Sequence, residues 1–422
     1  MTRPKLILQF NEANFDYIKK YTKEYDLKGF KKLLQLKTNI ITTSEKKYEY
    51  LEPWIQWYSF YTKLPFQKHK IFHLGDSLKN NHFNFLEEIA KNNKKVGIFA
   101  SMNMKPSNYF DIFIPDPWSQ APSDDSARSK LVTNSIKQVV NENARLSINM
   151  KSIAGLLLIV GIPRNILDIQ ILLGVAKSIL FKLRFKLAAY FDYFFVNYAI
   201  RASKRSSLDL SIIFMNGLAH VQHHSMNESI YNKVKKTYET DPILECLKIY
   251  DLLFKKIFKN MNDTYEIWII TGLSQKPNAD PIYYWRFKNH KKILNHFIKC
   301  NFTVFPRMTR DFEIFANNNE DLNLIEDFLI NANTVSDRGS HKAFSYIDRN
   351  EKSIFASFVL DSEKSNAKLK WMNKEIILDG NLDFIAKKSG QHDEKGWAFC
   401  NKNLKKDLKL LPIWDLPNLI YK

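Results

Sequence analysis

Short apolar runs that end in polar turns recur along this chain, and they constrain its fold more than any other feature. The first run is Lys5–Phe10, and three later runs share its length and its aliphatic and aromatic content: Val96–Ala100, Leu208–Met215 and Ile267–Thr271. Helical patterns separate them, notably Leu131–Val140 and Ile230–Phe258. Buried strands that alternate with helices predict an α/β fold, with a mainly parallel sheet sandwiched between helices. Ligands bind such sheets at the carboxyl ends of the strands, so we expect the chemistry in the turns that follow these runs.

Two stretches depart from the alternation. Residues 150–205 are rich in Leu, Phe and Tyr and predict two or three helices: Ser152–Val160, Ile166–Val175 and Phe181–Ile200. Beyond residue 330 the sequence predicts strands: Lys342–Ile347, Ser353–Leu360 and Lys370–Leu378. We therefore divide the chain into the N-terminal part of the α/β core at 1–149, a helical insertion or cap at 150–205, and the remainder of the core with a strand-rich C-terminal part at 206–422.

The chain is strongly basic, with 63 Lys and Arg against 44 Asp and Glu and a net charge of +19. Such a balance suits nucleic acid, an anionic membrane surface or an anionic substrate. The basic residues are scattered, and no compact basic-aromatic patch or recognition motif is present, which disfavours nucleic acid. Within 150–205, cations punctuate the apolar pattern: Lys177, Lys182, Arg184 and Lys186. That segment either packs over the core or presents a basic amphipathic face to an anionic membrane.

The cysteines indicate a reducing compartment. Cys246, Cys300 and Cys400 are odd in number and far apart, so they form no disulfide framework and no Cys-x-x-Cys pair. The first apolar run is too brief for the core of a signal peptide. The longest apolar stretch, Ile153–Leu180, contains Gly, Pro and charged residues and lacks the roughly 20 uninterrupted apolar residues of a membrane span. We expect a cytoplasmic protein, with the inner face of the membrane as the place of any peripheral contact.

The first run ends in a turn that carries a carboxylate and amides. Asn11 and Glu12 could hold a cation or a polar substrate at the carboxyl end of a strand. The alternative is a structural turn in which Asn14 caps a helix that starts at Phe15.

A second cluster contains Glu52, Trp54 and Trp57 around Pro53. Pro53 suits the first turn of a helix, with Glu52 at its end. The tryptophans then belong to the core, or Glu52 faces a pocket with Trp54 or Trp57 as a stacking wall for a sugar or base.

The densest group of imidazoles follows the run Leu208–Met215. His220, His223 and His224 lie within five positions, and imidazole prefers a polar partner or a metal, so we expect a functional role for this group. The spacing does not say which of the three faces inward. Residues 271–275 follow the next run, where Gly272 permits a positive-φ turn and Gln275 could bind a phosphate or hydroxyl.

The late segment 389–397 predicts a polar loop with His392 between two glycines. Residues 338–341 are a weaker case of the same kind. For either histidine alone, a surface loop is the expectation.

Taken in chain order, these motifs resemble a known superfamily. The acidic and amide turn comes first, then the Pro53 segment running into Thr62-Lys63-Leu64-Pro65 with His69, the clustered histidines, Thr271-Gly272-Leu273-Ser274, and the late Gly-x-His. This succession resembles the alkaline-phosphatase-like superfamily, and its type I phosphodiesterase/nucleotide pyrophosphatase branch most closely. The resemblance covers most of the chain, with 150–205 where the superfamily tolerates insertions, and implies a mixed, mainly parallel sheet between helices. It also implies hydrolysis or transfer of phosphate and sulfate esters by a Thr or Ser nucleophile at two divalent metals.

The chain departs from this pattern at several ligand positions. The superfamily's first metal-binding Asp falls on Asn11, and no Ser or Thr occurs between Leu51 and Tyr58, where the nucleophile should lie. The Asp-x-x-x-His motif falls on Ala219 and His223, so only its His remains. The Ser-Asp-His-Gly motif falls on 271–274 and loses two more ligands, whereas the late Gly-x-His is kept as His392.

These departures disfavour a two-metal mechanism. One metal position keeps His223 and His392 without its carboxylate, and the other keeps only Asn11, with Glu12 beside it. An amide, an alanine and a glycine cannot supply the anionic oxygens that hold a hard divalent cation. Two imidazoles can still hold a single divalent metal such as zinc if Glu12, Glu52 or His220 adds a ligand.

Two hypotheses follow. The first is a divergent hydrolase or transferase that acts on a small anionic phosphate or sulfate ester, glycan or nucleotide-sugar precursors included, through a rebuilt, metal-poor site. Its catalytic candidates are Glu12, Glu52, His220, His223 and His392, with Asn11, Trp54, Trp57 and Gln275 binding substrate. The second is a catalytically inactive pseudoenzyme that binds a sugar or nucleotide or acts as a scaffold. The sequence predicts no particular oligomeric state.

Overall fold

The computed structural model describes residues 3–141, 149–181, 183–229, 231, 240–307, 309–404 and 409–421. The chain divides into two compact units. Unit 1 comprises Met1–Pro277 and Gly390–Lys422, and unit 2 comprises Asn278–Ser389.

The strands occupy these positions in chain order: β1 Lys5–Phe10, β2 Thr38–Thr43, β3 Val96–Phe99, β4 Ile112–Ile114, β5 Leu210–Met215, β6 Glu266–Ile270, β7 Ser274–Phe287, β8 Phe302–Pro306, β9 Asp311–Ala316, β10 Asn333–Ser336, β11 Gly339–Lys342, β12 Phe344–Arg349, β13 Ser353–Phe358, β14 Lys368–Trp371, β15 Lys374–Ile377, β16 Leu382–Asp393, β17 Lys395–Cys400 and β18 Leu410–Pro412. The α-helices are α1 Phe15–Glu24, α2 Lys28–Leu34, α3 Pro53–Thr62, α4 Phe66–His69, α5 Phe85–Lys91, α6 Ala127–Asn141, α7 Met150–Val160, α8 Ile166–Leu180, α9 Leu187–Arg205, α10 Gly217–Ser225, α11 Pro242–Met261, α12 His290–Phe297, α13 Asn319–Asn331 and α14 Pro417–Ile420.

An eight-stranded sheet forms the centre of unit 1. Its strand order is β18-β2-β17-β6-β1-β5-β3-β4. β1 pairs in parallel with both β5 and β6, and β3 pairs in parallel with β4 and β5. β17 is antiparallel to β2 and to β6. The predicted mainly parallel sheet is therefore confirmed, and each of the four apolar runs supplies a strand of it.

Helices cover both faces of this sheet, as two neighbouring residues of β1 show. Phe10 packs against Phe30 of α2 and Phe254 of α11, with ring centroids 6.4 and 5.5 Å apart. Side chains alternate along a strand, so Gln9 points to the opposite face. There it donates a hydrogen bond to the hydroxyl of Tyr61 on α3 at 3.0 Å. A sheet buried on both sides explains why β1 reads as a continuous apolar run.

The predicted helices at 150–205 are present as α7, α8 and α9. Their bounds differ from the prediction mainly in the third helix, which starts at Leu187 rather than at Phe181. Of the predicted helix Ile230–Phe258, residues 242–258 lie in α11, and residues 230 and 232–239 lie outside the described part of the chain. Among the described residues, no helix combines the length and apolarity needed to cross a bilayer.

Unit 2 is rich in strands, as predicted for the C-terminal part. It contains one four-stranded sheet in the order β12-β13-β9-β8 and another in the order β11-β10-β14-β15. The predicted run Lys370–Leu378 is divided in the structure between β14 and β15, which pair as an antiparallel hairpin. Met372 lies in the turn between them with a φ of 50°, which interrupts the strand.

The prediction of a polar loop at 389–397 is wrong. Residues up to Asp393 belong to β16, which neighbours β7 in a two-stranded sheet, and β17 starts at Lys395. The sequence of β16 is polar and holds a single β-branched residue, so it lacks the usual composition of a strand. His392 is consequently buried, with 4% of its surface exposed. The weaker motif at 338–341 also enters a strand, β11, but that strand is exposed throughout.

Candidate functional site

The candidate site lies at the carboxyl ends of three adjacent parallel strands. Because β1 lies between β5 and β6, the residues that follow these strands meet at one edge of the sheet. The backbone N–H of Asn11 donates to the carbonyl of Met215, and the N–H of Glu12 donates to the carbonyl of Thr271, both at 3.0 Å. The turns that follow these three strands therefore meet at one place.

Glu12 occupies a tight turn that directs its carboxylate into the protein. Its φ is 55°, in the left-handed region that is uncommon for residues other than glycine. Asn14 follows and caps α1 by accepting from Asp16 N and Tyr17 N, as the sequence allowed. The Glu12 carbonyl accepts from Gln222 Nε2 at 2.7 Å, so the strained turn is held by α10 as well as by β6.

Two amides orient the Glu12 carboxylate. Asn11 Nδ2 donates to Oε1 at 2.9 Å, and Gln275 Nε2 donates to Oε2 at 2.5 Å. Gln275 Nε2 also donates to the carbonyl of Ala219 at 3.1 Å, which ties β7 to α10. The carboxylate is only 2% exposed, so its direction is fixed by these partners rather than by solvent.

Two imidazoles face the same oxygen of this carboxylate. His223 Nε2 lies 3.1 Å and His392 Nε2 lies 3.2 Å from Glu12 Oε2. His392 Nε2 is buried, and it makes no well-aligned hydrogen bond to any described residue. The ligand atoms of Glu12, His223 and His392 all lie within 4.8 Å of one another.

This donor set fits a metal ion. Ligands of tetrahedral zinc lie about 2.0–2.2 Å from the metal, which places neighbouring N and O ligand atoms roughly 3.3 Å apart. The two N···O separations are close to that value, and a buried imidazole nitrogen without an aligned partner points into the cluster. The sequence placed Glu12 beside Asn11 at the other metal position. The structure groups Glu12 with His223 and His392, which is one of the three additions that the sequence offers for a single-metal site.

Of the three clustered histidines, His223 is the one that reaches the Glu12 carboxylate among the described contacts. α10 follows β5, and its second turn directs His223 to Glu12 while the side chain stays 23% exposed. His220 is exposed, and its ring packs edge-on against His224 at 4.7 Å between centroids. His220, a sequence candidate for catalysis, therefore lies outside the group of possible ligands.

Gly390 explains why the second imidazole can approach so closely. A Cβ at this position would clash with Gln275 Oε1 and with the carbonyl of Gln222. β16 can therefore run against β7 and α10 only with glycine at 390. His392, two residues further along the strand, then reaches Glu12.

Glu52 lies near the Nδ1 side of the His392 ring and is not a member of the group formed by Glu12, His223 and His392. It precedes Pro53 at the start of α3, as the sequence predicts, and its side chain is 32% exposed. Its Oε2 lies 3.7 Å from His392 Nδ1. A carboxylate near the second nitrogen of an imidazole favours the tautomer whose other nitrogen is free to bind a metal.

Glu12 is ionised at neutral pH. Burial raises the pKa of its carboxyl, but the charges of the neighbouring His223 and His392 outweigh burial and hold that pKa well below the usual value. The anionic form is the one that binds a metal.

The remaining sequence candidates belong to the surroundings of this group. Asn11 is buried, donates to Asn216 Oδ1 at 2.8 Å and accepts from Trp57 Nε1 at 2.8 Å. Trp57 is buried, whereas Trp54 is half-buried and donates to the carbonyl of Phe72 at 2.8 Å. Their proposed substrate contacts stay predictions.

Sequence reasoning missed a buried Ser–His contact and a buried aspartate. Ser59 Oγ lies 2.9 Å from His69 Nε2, and His69 Nδ1 accepts from the N–H of Ile71 at 3.0 Å. The imidazole proton is therefore on Nε2, so His69 donates to Ser59 and cannot act as its base. Asp192 of α9 accepts from the N–H of Gly217 at 2.7 Å and fixes the start of α10. The members of each pair, Ser59 with His69 and Asp192 with Gly217, do not follow the spacing of a motif. No sequence signal therefore links them.

Comparison with known proteins gives structural similarities only. No family model matches the chain, and no curated protein matches it. It is similar to phosphonoacetate hydrolase from Sinorhizobium meliloti 1021, with a TM-score of 0.46, 12% identity and coverage of 98% of this chain and 94% of that one. It is also similar to murine ectonucleotide pyrophosphatase/phosphodiesterase 5, with a TM-score of 0.42, 9% identity and coverage of 99% and 94%. For TAB5 alkaline phosphatase the TM-score is 0.41, the identity 9% and the coverage 100% and 97%.

All three TM-scores lie below 0.5, so the function proposed below rests on the side chains of this chain alone.

Proposed function

We propose that this protein is a hydrolase or transferase of phosphate or related anionic esters that works with one divalent metal ion. Glu12, His223 and His392 would hold the ion. The observation that carries the proposal is the convergence of one ionised carboxylate and two imidazole nitrogens on a single point at the strand ends, with all ligand atoms within 4.8 Å.

Zinc suits these donors best. Imidazole nitrogen is a common zinc ligand, whereas magnesium and calcium prefer shells made wholly of oxygen. Two histidines and one glutamate fill three positions of a tetrahedron and leave the fourth open, which is the arrangement of catalytic rather than structural zinc sites. The partial exposure of His223 and Glu52 leaves the cluster open to solvent on their side.

The chain's own residues prepare the site in three ways. Asn11 and Gln275 hold the Glu12 carboxylate in one orientation, so it need not reorganise on binding. Glu52 favours the His392 tautomer with a free Nε2. A divalent ion held there would act as a Lewis acid toward the oxygens of an ester. Glu52, near this point and partly exposed, is the candidate to accept or deliver a proton during the reaction.

A ligand-binding pseudoenzyme is the second candidate, and one observation favours it. Trp57 is bound to Asn11 at the place where the resemblance puts a second metal, and His69 cannot activate Ser59. A site without a second metal and without an activated hydroxyl could bind an anionic sugar or nucleotide without turnover.

Turnover separates these candidates. The purified protein is stripped with a chelator, loaded with Zn²⁺, and assayed with p-nitrophenyl phosphate, bis(p-nitrophenyl) phosphate, a phosphonate ester and p-nitrophenyl sulfate. The matched variants are His223→Ala and His224→Ala, which change neighbouring histidines of one helix. We expect zinc-dependent turnover of at least one ester, abolished by His223→Ala and kept by His224→Ala. Zinc binding without turnover of any ester, together with thermal stabilisation by a nucleotide or sugar phosphate, would favour the pseudoenzyme.

A further inference from the structure

The consecutive helices α7 and α8 carry large apolar side chains that are exposed. Of the 25 exposed large hydrophobic residues in the described part of the chain, ten lie between 150 and 181. Eight lie in α7 or α8, and Ile162 and Phe181 lie just beyond the ends of these helices. Together they define what we name the α7–α8 face: Met150, Ile153, Leu157, Ile162, Ile166, Ile169, Leu173, Ile179, Leu180 and Phe181. A helix on the surface of a soluble domain normally turns such a stripe toward the core.

The buried residues of the same helices include Ile159 and Ile171, and the closest approaches to other helices are made at small residues. Ser152 and Gly155 of α7 are buried, and Gly155 lies so close to Ser135 of α6 that a Cβ would clash. Gly174 of α8 approaches the Tyr190 hydroxyl in the same way. Ile159 and Ile171 thus anchor the helices in the core of unit 1, and the glycines allow the closest contacts. The ten residues of the α7–α8 face stay exposed in addition, and packing within the chain does not account for them.

The charge around this face is almost entirely positive. Residues 150–186 contain six cations and one acid. The acid, Asp168, is paired with Lys256 at 2.6 Å, so it adds no free negative charge. Four of the cations have exposed side chains in the structure: Lys151, Arg164, Lys177 and Arg184.

We propose that the α7–α8 face docks in the plane of an anionic lipid bilayer. The apolar stripes would enter the boundary between headgroups and acyl chains, and the flanking cations would pair with lipid phosphates. α8 is 15 residues long, which suits a helix lying on the surface rather than crossing it. A second copy of this chain is a poorer occupant, because it would bring the same unpaired cations against each other. This proposal is independent of the proposed function.

The test measures the partition of the full-length protein onto sucrose-loaded vesicles by sedimentation. One set of vesicles is phosphatidylcholine alone, and the other contains equal parts of phosphatidylcholine and phosphatidylglycerol. The face variant is Leu157→Glu/Ile166→Glu/Leu173→Glu. The matched control places the same three charges on exposed apolar residues of unit 2, as Phe305→Glu/Ile377→Glu/Phe384→Glu. A third variant, Arg164→Gln/Lys177→Gln, removes two cations, and circular dichroism checks the fold of each.

We expect binding to the anionic vesicles that weakens with salt and is at least ten times weaker for neutral vesicles. The face variant should lose at least tenfold in partition coefficient, the control less than twofold, and the cation variant about fivefold per charge removed. The proposal is overturned if the wild-type protein stays in the supernatant, or if the face variant and the control bind alike. It is also overturned if light scattering shows a dimer that only the face variant dissociates, because the face would then join two copies.

Discussion

The indole Nε1 of Trp57 donates a hydrogen bond to Asn11 Oδ1 at 2.8 Å, with both side chains buried. The same indole lies against Gly272, where a Cβ would be 3.1 Å from the ring. Both Asn11 and Gly272 fall on positions that the resemblance assigns to metal ligands. At these positions the structure has an amide engaged by a tryptophan and a glycine covered by its ring, so this side of the site is closed by protein side chains.

Replacement of Trp57 by Phe should destabilise the protein by about 1–3 kcal/mol, because Asn11 Oδ1 would be left buried without its donor. Urea unfolding measures the change. Trp54→Phe is the matched control, since its hydrogen bond to the Phe72 carbonyl is only partly buried and water can replace the donor. Equal losses for the two variants would contradict the account of Trp57.

Asn11→Asp should place a second carboxylate against Glu12. The amide that donates to Glu12 Oε1 at 2.9 Å would become a like charge, which raises the pKa of one member of the pair. A raised folded-state pKa means that stability falls as pH rises, so the metal-free variant should be weakest relative to wild type at pH 8 and recover toward pH 5.

The double variant Asn11→Asp/Glu12→Gln removes the repulsion and serves as the control. Urea unfolding at pH 5 and pH 8 measures all three proteins. If Asn11→Asp shows the same deficit at both pH values, the two side chains do not interact as described.

Ser59→Ala should leave any ester hydrolysis unchanged. His69 donates to this hydroxyl, and burial lowers the His69 pKa to about 4, so the pair does not titrate between pH 5 and 8. We expect a loss of about 1 kcal/mol in stability from the lost hydrogen bond and an unaltered pH profile of turnover. A hundredfold fall in turnover would instead identify Ser59 as a nucleophile.

Asp192 should make the protein less stable as the pH rises from about 4 to about 7. Burial raises the pKa of this carboxyl to about 7, although hydrogen bonds from Tyr250 and Gly217 lower it. The folded state therefore keeps a proton that the unfolded chain has already lost above about pH 4, and stability declines across this interval. Asp192→Asn should flatten the decline and be the more stable protein at pH 8. A difference between the two proteins that does not vary with pH would contradict the raised pKa.

The strands and the convergence of their turns were predictable from the sequence, because continuous apolar runs identify strands buried on both faces. β1, β5 and β6 lie where the runs predicted, and Asn11, Glu12 and Thr271 meet at their ends. The cap at Asn14 and the helix start at Pro53 also followed from local chemistry, since each depends on neighbouring residues only.

The resemblance indicates His223 and His392 as metal ligands, but the residues alone leave the further ligand open among Glu12, Glu52 and His220. Whether His223 or His220 faces Glu12 depends on the rotation of α10 about its own axis relative to the sheet. Asp192 and Gln222 fix that rotation, and no motif in the sequence marks either residue. Glu12 lies beside His223 and His392 because its φ is positive, and the residue types at 10–14 do not predict a positive φ at this position. The sequence predicts a loop at His392 because β16 is polar, and the burial of this histidine depends on the space that Gly390 leaves.

The most direct test of the account is the affinity of the metal-free protein for Zn²⁺, measured by competition with a chromophoric chelator. Wild type should bind one ion per chain, and His224→Ala should match it. Glu12→Gln, which keeps the shape of the side chain but removes its charge, should lose more than about 100-fold in affinity. That is beyond the 10–100-fold typical of residues that only orient a ligand. A wild-type protein that binds no zinc, or a Glu12→Gln variant that binds it as tightly as His224→Ala does, would contradict the single-metal site.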